Sequence, residues 1–411
     1  METHLAAFLR DTPAGREAEA ILRRCVHCGF CTATCPTYQL TGDELDGPRG
    51  RIYLIKQLLE TGTAGAPTRR HLDRCLQCRS CETTCPSGVE YGRLLDIAQG
   101  VLAERAPRQG GARLARTALR AFLSRPRIFG AALAAGRLLR PLLPRGLRAR
   151  VPEQRAAGVR PPPRHPRQVL LLEGCVQPSL LPGINAATVR VLDRIGIGVQ
   201  AVPARAGAGC CGALRQHLDD AAGARAAARR NIDAWWPAIE AGAEAIVITA
   251  SGCGVQVKNY GRLLADDARY AERAARVAAL ARDVSEVVVA ERAALEARLR
   301  EAPHARVAFQ APCTLQHGQR IRGVVESLLA AAGFELVPVP DGHLCCGSAG
   351  AYSLLQPELS TALRTARLAA LHSGAPQVIA SANVGCIAHL QAGSDTPVRH
   401  WVELFDERMR D

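Results

Sequence analysis

CVHCGFCTATCP at 25–36 and CLQCRSCETTCP at 75–86 share one pattern, C-x2-C-x2-C-x3-C-P, displaced by 50 residues. The repeat extends to Arg24 and Arg74, Thr34 and Thr84, and Pro36 and Pro86. Two-residue gaps let one tight loop set three thiolates around three corners of an iron–sulfur cubane, and bacterial two-cluster ferredoxins use this same run. Its fourth Cys lies beyond the loop and ligates the cluster begun by the other motif. Pro36 and Pro86 fix φ at that point, and Gly29 eases the first loop. Cys25, Cys28, Cys31 and Cys85 are therefore expected around one [4Fe–4S] cluster, and Cys75, Cys78, Cys81 and Cys35 around a second. Zinc sites usually arrive as CxxC pairs rather than triplets, and disulfides suit an oxidising compartment. Every iron then carries a Cys ligand, so substrate chemistry at the irons is not expected and no catalytic residue is assigned.

Between and beyond these loops the chain reads as helix. Pro48 followed by RGRIYLIKQLLE predicts a helix with Pro in its first turn, and GVEYGRLLDIAQGVLAER at 88–105 has helical periodicity. Residues 1–104 are thus expected to form an α-helical two-cluster domain.

A second, looser repeat follows. VLLLEGC at 169–175 and RVAFQAPC at 306–313 are short apolar runs ending at a Cys. Each leads through a helical stretch to a Cys-Cys-Gly, at Cys210-Cys211-Gly212 and Cys345-Cys346-Gly347. AIVITASGC then ends at Cys253, and QVIASANVGC at Cys386. Strands alternating with helices imply βαβ units and parallel sheets. The fold class is α plus α/β, with similar lobes at 168–254 and 304–411 and a helical connector at 255–303. Vicinal Cys in a Gly-bearing loop offer two thiolates to one centre. Cys175, Cys210, Cys211 and Cys253, and Cys313, Cys345, Cys346 and Cys386, are candidate ligands of an additional iron–sulfur or metal centre. Buried structural Cys, zinc, or a thiol–disulfide pair are the other readings. His389, three residues after Cys386, is either a nitrogen ligand or structural.

The 411 residues are 48% hydrophobic and 22% charged, enough for two or three packed domains and unlike a disordered chain. Sixteen Cys with no basic-then-apolar leader in METHLAAFLRDTPAG, and no apolar run of spanning length, point to the cytoplasm and to metal or redox chemistry. The net charge of +14 is local: residues 105–167 hold 16 Arg and one acid, Glu153. No nucleic-acid-binding pattern accompanies them, so no nucleic-acid partner is expected. ARLARTALRAFL at 112–123 sets Arg113, Arg116 and Arg120 on one helical face and Leu114, Ala118 and Phe122 on another; IFGAALAAGRLLRPLLPRGLRAR at 128–150 is apolar with periodic Arg. Such helices suit an anionic membrane surface on the inner face of the cell membrane. The competing reading packs the apolar side on the protein, or on a partner subunit, with Arg in water. VRPPPRHPR at 159–167 is a stiff linker.

A ferredoxin-like half followed by two Cys-Cys-Gly lobes resembles the iron–sulfur subunits of bacterial glycolate oxidase (glycolate dehydrogenase). CVHCGFCTATCPTYQLTGDELDGPRGRIYLIKQLLE, CLQCRSCETTCPSGVEYG, HLCCGSAGAYSLLQPELS and NVGCIAHLQAG carry the resemblance over nearly the whole chain. It implies an electron-transfer subunit working with FAD-binding partners that oxidise glycolate to glyoxylate, with a quinone or another acceptor downstream. The equivalent subunit of a glycerol-3-phosphate or lactate dehydrogenase is the neighbouring alternative. A thiol–disulfide or metal-sensing protein is the alternative from another class. Heterodisulfide reductase subunits with related lobes end in CxxC, whereas this chain reads CGVQ at 253–256 and CIAH at 386–389. Their five-Cys cluster and disulfide chemistry therefore do not carry over. No flavin or dinucleotide fingerprint is present; GIGVQ from Gly196 lacks the full pattern and marks a helix-to-strand turn.

Overall fold

Proline opens the first two long helices. Pro13 starts α1 (Pro13–Arg24), capped by Thr12, whose hydroxyl accepts from the Gly15 N–H. Pro48 starts α2 (Pro48–Thr61), which ends at Gly62 in the left-handed region with φ +71°. With α3 (Tyr91–Arg105) they bury a shared stripe of Ile21, Leu22, Ile55, Leu58, Leu59, Leu94, Leu95, Ala98 and Leu102. The i, i+3, i+4 spacing of these residues makes the helices amphipathic, and both Cys loops pack against this core through Cys25 and Cys81. The computed structural model describes residues 1–142, 144, 151–153, 156–202, 208–301 and 303–410.

The basic segment forms a helical pair, α4 (Gly110–Leu123) and α5 (Pro126–Leu139), in which no residue is fully buried. Four of its arginines, Arg145, Arg148, Arg150 and Arg155, lie outside the described residues. The pair is turned the opposite way from a linker packing its apolar side. Arg116 reaches Asp73 at 3.1 Å and Asp219 at 3.5 Å, beside Arg108, which binds the same two carboxylates at 2.5 and 2.6 Å. Arg120 donates to the Leu218 carbonyl at 3.1 Å. Of the three arginines expected on a lipid-facing side, only Arg113 stays exposed. The other two dock on protein because two carboxylates and a carbonyl lie there to receive them. The apolar side faces outward, with Leu114 70% and Leu138 and Leu142 each 81% exposed. Among the described residues no helix is long and apolar enough to cross a membrane.

Two four-stranded parallel sheets follow. The first has the order β2–β1–β3–β4, from β1 (Gln168–Leu172), β2 (Gly198–Ala201), β3 (Ile246–Ile248) and β4 (Ala281–Asp283). The second repeats it as β6–β5–β7–β8, from β5 (Arg306–Gln310), β6 (Glu335–Leu336), β7 (Val378–Ser381) and β8 (Val398–His400). Matching registers such as Leu171↔Val247 and Phe309↔Ala380 show the duplication. The region read from sequence as a purely helical connector contributes β4, the edge strand of the first sheet. Three residues between helices are too few to show a period of two.

Side chains alternate across β1. Val169 and Leu171 enter a core shared with the second lobe, while Leu170 and Leu172 enter a separate core with Ile232 and Trp235. Helix α6 (Pro182–Arg194) packs on the C-terminal helix (Trp401–Asp406), where Arg190 and Arg194 each bind Asp406 at 2.6 Å. His400 Nε2 donates to the Thr249 carbonyl at 3.0 Å, a further bond between lobes. In each lobe the Cys lie beyond the carboxyl ends of the strands, where parallel α/β sheets place their binding sites.

Candidate metal centres

The two N-terminal Cys loops are built on one backbone pattern. Left-handed residues occur at His27 (φ +55°) and Gly29 (φ +87°), and again 50 positions on at Gln77 (φ +54°) and Arg79 (φ +59°). Only one of the four is glycine, and a side chain held there costs roughly 1–2 kcal/mol, so the surrounding contacts must impose the turn. Each loop borders a cavity. The first is lined by Cys25, Cys28, Cys31 and Cys85, and Arg49 reaches it from α2. The second is lined by Cys35, Cys75, Cys78 and Cys81, with Arg51 and Arg79. Cys85 thus lies at the first loop and Cys35 at the second, while Cys81 and Tyr91 border both cavities.

The donor set suits a cluster better than a single ion. Among the described residues no three of these sulfurs lie within 4.8 Å of one another. Tetrahedral zinc, with Zn–S near 2.3 Å, would draw them to about 3.8 Å; a cubane holds its thiolates farther apart. Burial pushes the Cys31 thiol up to about 11, helped by Cys25 and Cys85. Burial also raises Cys78 and Cys81 well above the usual thiol range, with neighbouring thiols adding to it. Metal binding reverses this balance, because the ligand must be the thiolate and the metal displaces the proton.

A buried ionic group adjoins the second cavity. Asp46 is fully buried, and its carboxylate meets Arg74 Nη1 at 2.8 Å, His71 Nδ1 at 2.9 Å and Arg51 Nη2 at 3.5 Å. Arg51, only 1% exposed, also donates to the His71 carbonyl at 2.7 Å and to Thr37 Oγ1 at 3.1 Å. The Thr37 hydroxyl lies 3.3 Å from Cys35 Sγ. Two guanidiniums against one carboxylate leave a net positive charge beside the second cavity, where a thiolate-bound cluster would carry negative charge. Sequence reading missed Arg51 and Asp46 here, although both stand in the quoted stretch DELDGPRGR.

The lobes bring their Cys together differently. In the first lobe Cys175 adjoins Cys210, and Cys211 adjoins Cys253, the last on α7 (Ser251–Lys258). The Cys175 thiol, with help from Arg215 and Arg230, brings Cys210 down to about 7 against its burial. In the second lobe Cys313 and Cys345 lie 3.8 Å apart, and Cys346 adjoins Cys345 and Cys386. Gly347 N–H donates to Cys345 Sγ at 3.5 Å and Asn383 Nδ2 to Cys386 Sγ at 3.4 Å. The Gly of each Cys-Cys-Gly is required by its backbone. Gly212 (φ +93°) and Gly347 (φ +87°) would place a Cβ 3.0 Å from the Ala224 carbonyl and 2.7 Å from that of Ser360. His389 turns Nε2 toward the Ser360 hydroxyl at 3.3 Å and the Ser360 carbonyl at 3.4 Å.

The second lobe also joins the ferredoxin-like half. Cys313 and Cys345 pack with Leu76, Tyr352 and Leu363, and Cys78 lies against this cluster. Thr83 and His317 share a 2.8 Å hydrogen bond, and the Tyr352 hydroxyl donates to the Arg74 carbonyl at 3.2 Å. At the opposite end Cys28 is exposed. First cavity, second cavity and second-lobe thiols therefore form one series from surface to interior.

Comparison with known proteins agrees with this division. A 4Fe-4S dicluster domain model matches residues 21–89, and a cysteine-rich domain model matches 169–258 and 307–391. The chain is 53% identical over 410 residues to the glycolate oxidase iron-sulfur subunit of Escherichia coli (strain K12), covering 100% of this chain and 99% of the relative. It is 31% identical over 409 residues to the probable glycolate oxidase iron-sulfur subunit of Bacillus subtilis (strain 168), covering 92% and 90%. Lactate utilization protein A of Bacillus licheniformis is more distant, at 24% over 252 residues, 59% of this chain and 100% of that protein.

Proposed function

The chain belongs to the family of glycolate oxidase iron-sulfur subunits, and from that premise we propose that it carries electrons from a flavin-containing partner that oxidises glycolate to glyoxylate toward a quinone or another acceptor. The observation that supports this best is the pair of adjoining Cys-lined cavities, each bordered by three Cys of one motif and the fourth of the other. Cys25, Cys28, Cys31 and Cys85 would hold one [4Fe–4S] cluster, and Cys75, Cys78, Cys81 and Cys35 the second. When bound, such clusters take up and release electrons singly, which lets a two-electron flavin discharge in two steps. Four thiolates around each cluster exclude substrate from the irons. Exposed Cys28 offers the entry side, and Cys81 and Tyr91, shared by both cavities, bridge them. Arg51 places positive charge beside the inner cavity and favours the reduced, more negative form there.

Purified alone under argon, the chain should contain at least about eight irons and leave glycolate unoxidised. Adding the flavin subunits should make glycolate bleach the clusters, with lactate and glycerol 3-phosphate as comparison substrates. Conversion of glycolate to glyoxylate by the chain alone would overturn this reading.

The outward apolar face of α4 and α5 supports a second element, peripheral attachment to an anionic membrane. Leu114, Phe122, Ile128 and Leu138 are exposed there, with Arg113 and Arg127 exposed on the same helices. Binding to anionic vesicles should weaken as salt screens the arginines, and Leu138→Asp should reduce it further. Absence of binding at low salt would reject attachment.

A further inference from the structure

The two lobes share a fold and four Cys each, yet the groups buried around those Cys differ. In the second lobe Cys313, Cys345, Cys346 and Cys386 are all buried; in the first only Cys211 is. The helix after each Cys-Cys-Gly packs on its Gly, through Ala224 and Ala227 in one lobe and Ser360 and Leu363 in the other. One turn beyond Leu363 stands Arg367, 3% exposed, on the helix Pro357–His372. It borders one cleft together with Cys345. Its Nε donates to Gln310 and its Nη1 to the carbonyls of Pro340 and Asp341, but Nη2 has no partner among the described residues. A buried guanidinium with an unmet donor is costly unless an anion lies against it. One turn beyond Ala227 stands neutral Asn231, which bonds the Cys210 carbonyl, the Gly209 N–H and Tyr260. Likewise Asn383, which donates to Cys386 Sγ, corresponds to Ala250 at the start of the first-lobe helix. A buried cation and a sulfur-directed donor are thus present in one lobe, with uncharged groups at the matching positions of the other; the arginines that act on Cys210 are half-buried Arg215, paired with Asp220, and exposed Arg230.

We propose that the second lobe, and not the first, holds a thiolate-ligated iron–sulfur centre through Cys313, Cys345, Cys346 and Cys386, with Arg367 as its buried charge partner. The inference rests on the electron-carrier reading and extends its path by one station. Cys78 borders the second cavity and packs on Cys313 and Cys345, so this centre would adjoin the inner cluster. One electron passing inward reduces this centre by one and reoxidises the inner cluster by one, with no bond made or broken.

The test uses the full chain purified under argon, with iron, sulfide and zinc analysis and electron paramagnetic resonance at graded potentials. The wild type should hold about twelve irons, and Cys346→Ser about eight with both N-terminal signals intact, which also shows that the variant folds. Cys211→Ser should keep the full count. Arg367→Met should lose the third signal or shift its midpoint downward by at least a tenfold change in the reduced-to-oxidised ratio, about 59 mV for one electron, and Arg367→Lys should restore it. About eight irons in the wild type, zinc in the second lobe, or equal losses in Cys346→Ser and Cys211→Ser would overturn the inference and leave the N-terminal carrier standing. Absence of the two N-terminal signals as well would overturn the carrier reading itself.

Discussion

The chain contains two duplications, and they have aged differently. The twin Cys loops repeat their Cys, Thr and Pro positions at a fixed offset, share their left-handed backbone positions, and exchange their fourth Cys. The twin lobes keep their sheet order and their Cys-Cys-Gly turns but have diverged around the thiols, with Arg367 and Asn383 in one and Asn231 and Ala250 in the other. Interlocking accounts for the contrast. A change in either loop disturbs both cavities, whereas each lobe has its own turn and its own four Cys and can change alone.

Exchange of the fourth Cys carries the largest expected effect. Cys85→Ser should remove the cluster of the first cavity and Cys35→Ser that of the second, each with loss of about four irons and of one set of resonance signals. Loss of the cluster belonging to the mutated residue's own triplet would show two independent loops instead. Next comes Arg51, a buried cation at the second cavity, where the first has half-buried Arg49. Arg51→Met should lower the midpoint of the second cluster while leaving the first unchanged, measured by potentiometric titration. It should also destabilise the domain by about 3 kcal/mol, because Asp46 stays buried with less compensation.

The junction between lobes gives a pH effect. His400 is fully buried, which brings its imidazole down to about 4, against the Thr249 carbonyl that favours a proton on Nε2. Its Nδ1 accepts from the Val402 N–H at 3.2 Å, so the neutral ring is the one that fits. The unfolded chain therefore binds the extra proton first. Stability should be full above the unfolded value near 6.5 and fall as pH drops from there toward about 4, by at most about 1.4 kcal/mol per pH unit for this group. Denaturant melts across this range should show a shallower slope in His400→Gln. The smallest effect compares the two turns. Gly347→Ala should destabilise more than Gly212→Ala, both by at least about 1 kcal/mol for the left-handed backbone, because the added Cβ meets a carbonyl 0.3 Å closer (2.7 against 3.0 Å). Thermal melts of the two variants decide it.

Much of the architecture could be read without coordinates. The CxxCxxCxxxCP spacing, Pro48 at a helix start, the apolar runs ending at Cys, and the turn at Gly196 all act within a few residues, where chain stiffness and periodicity dominate. The remainder depended on distant partners. Ala281–Asp283 is a strand only because β3 lies beside it. Arg116 and Arg120 face protein because Asp73, Asp219 and the Leu218 carbonyl meet them. Asp46 and Arg51 look like ordinary surface charges around a proline turn until His71 and Arg74 arrive from the next helix and seal them in. Arg367 occupies one position of an otherwise unremarked helix, and only its burial beside Cys345 sets it apart.

Rapid mixing of the reconstituted complex with glycolate under argon, following flavin and cluster absorbance separately, tests electron carriage most directly. With Cys28→Ser in this chain, flavin reduction should proceed at close to the wild-type rate while reduction of the distal acceptor is lost. Unimpaired acceptor reduction in that variant, or glyoxylate formation by this chain without the flavin subunits, would contradict the account.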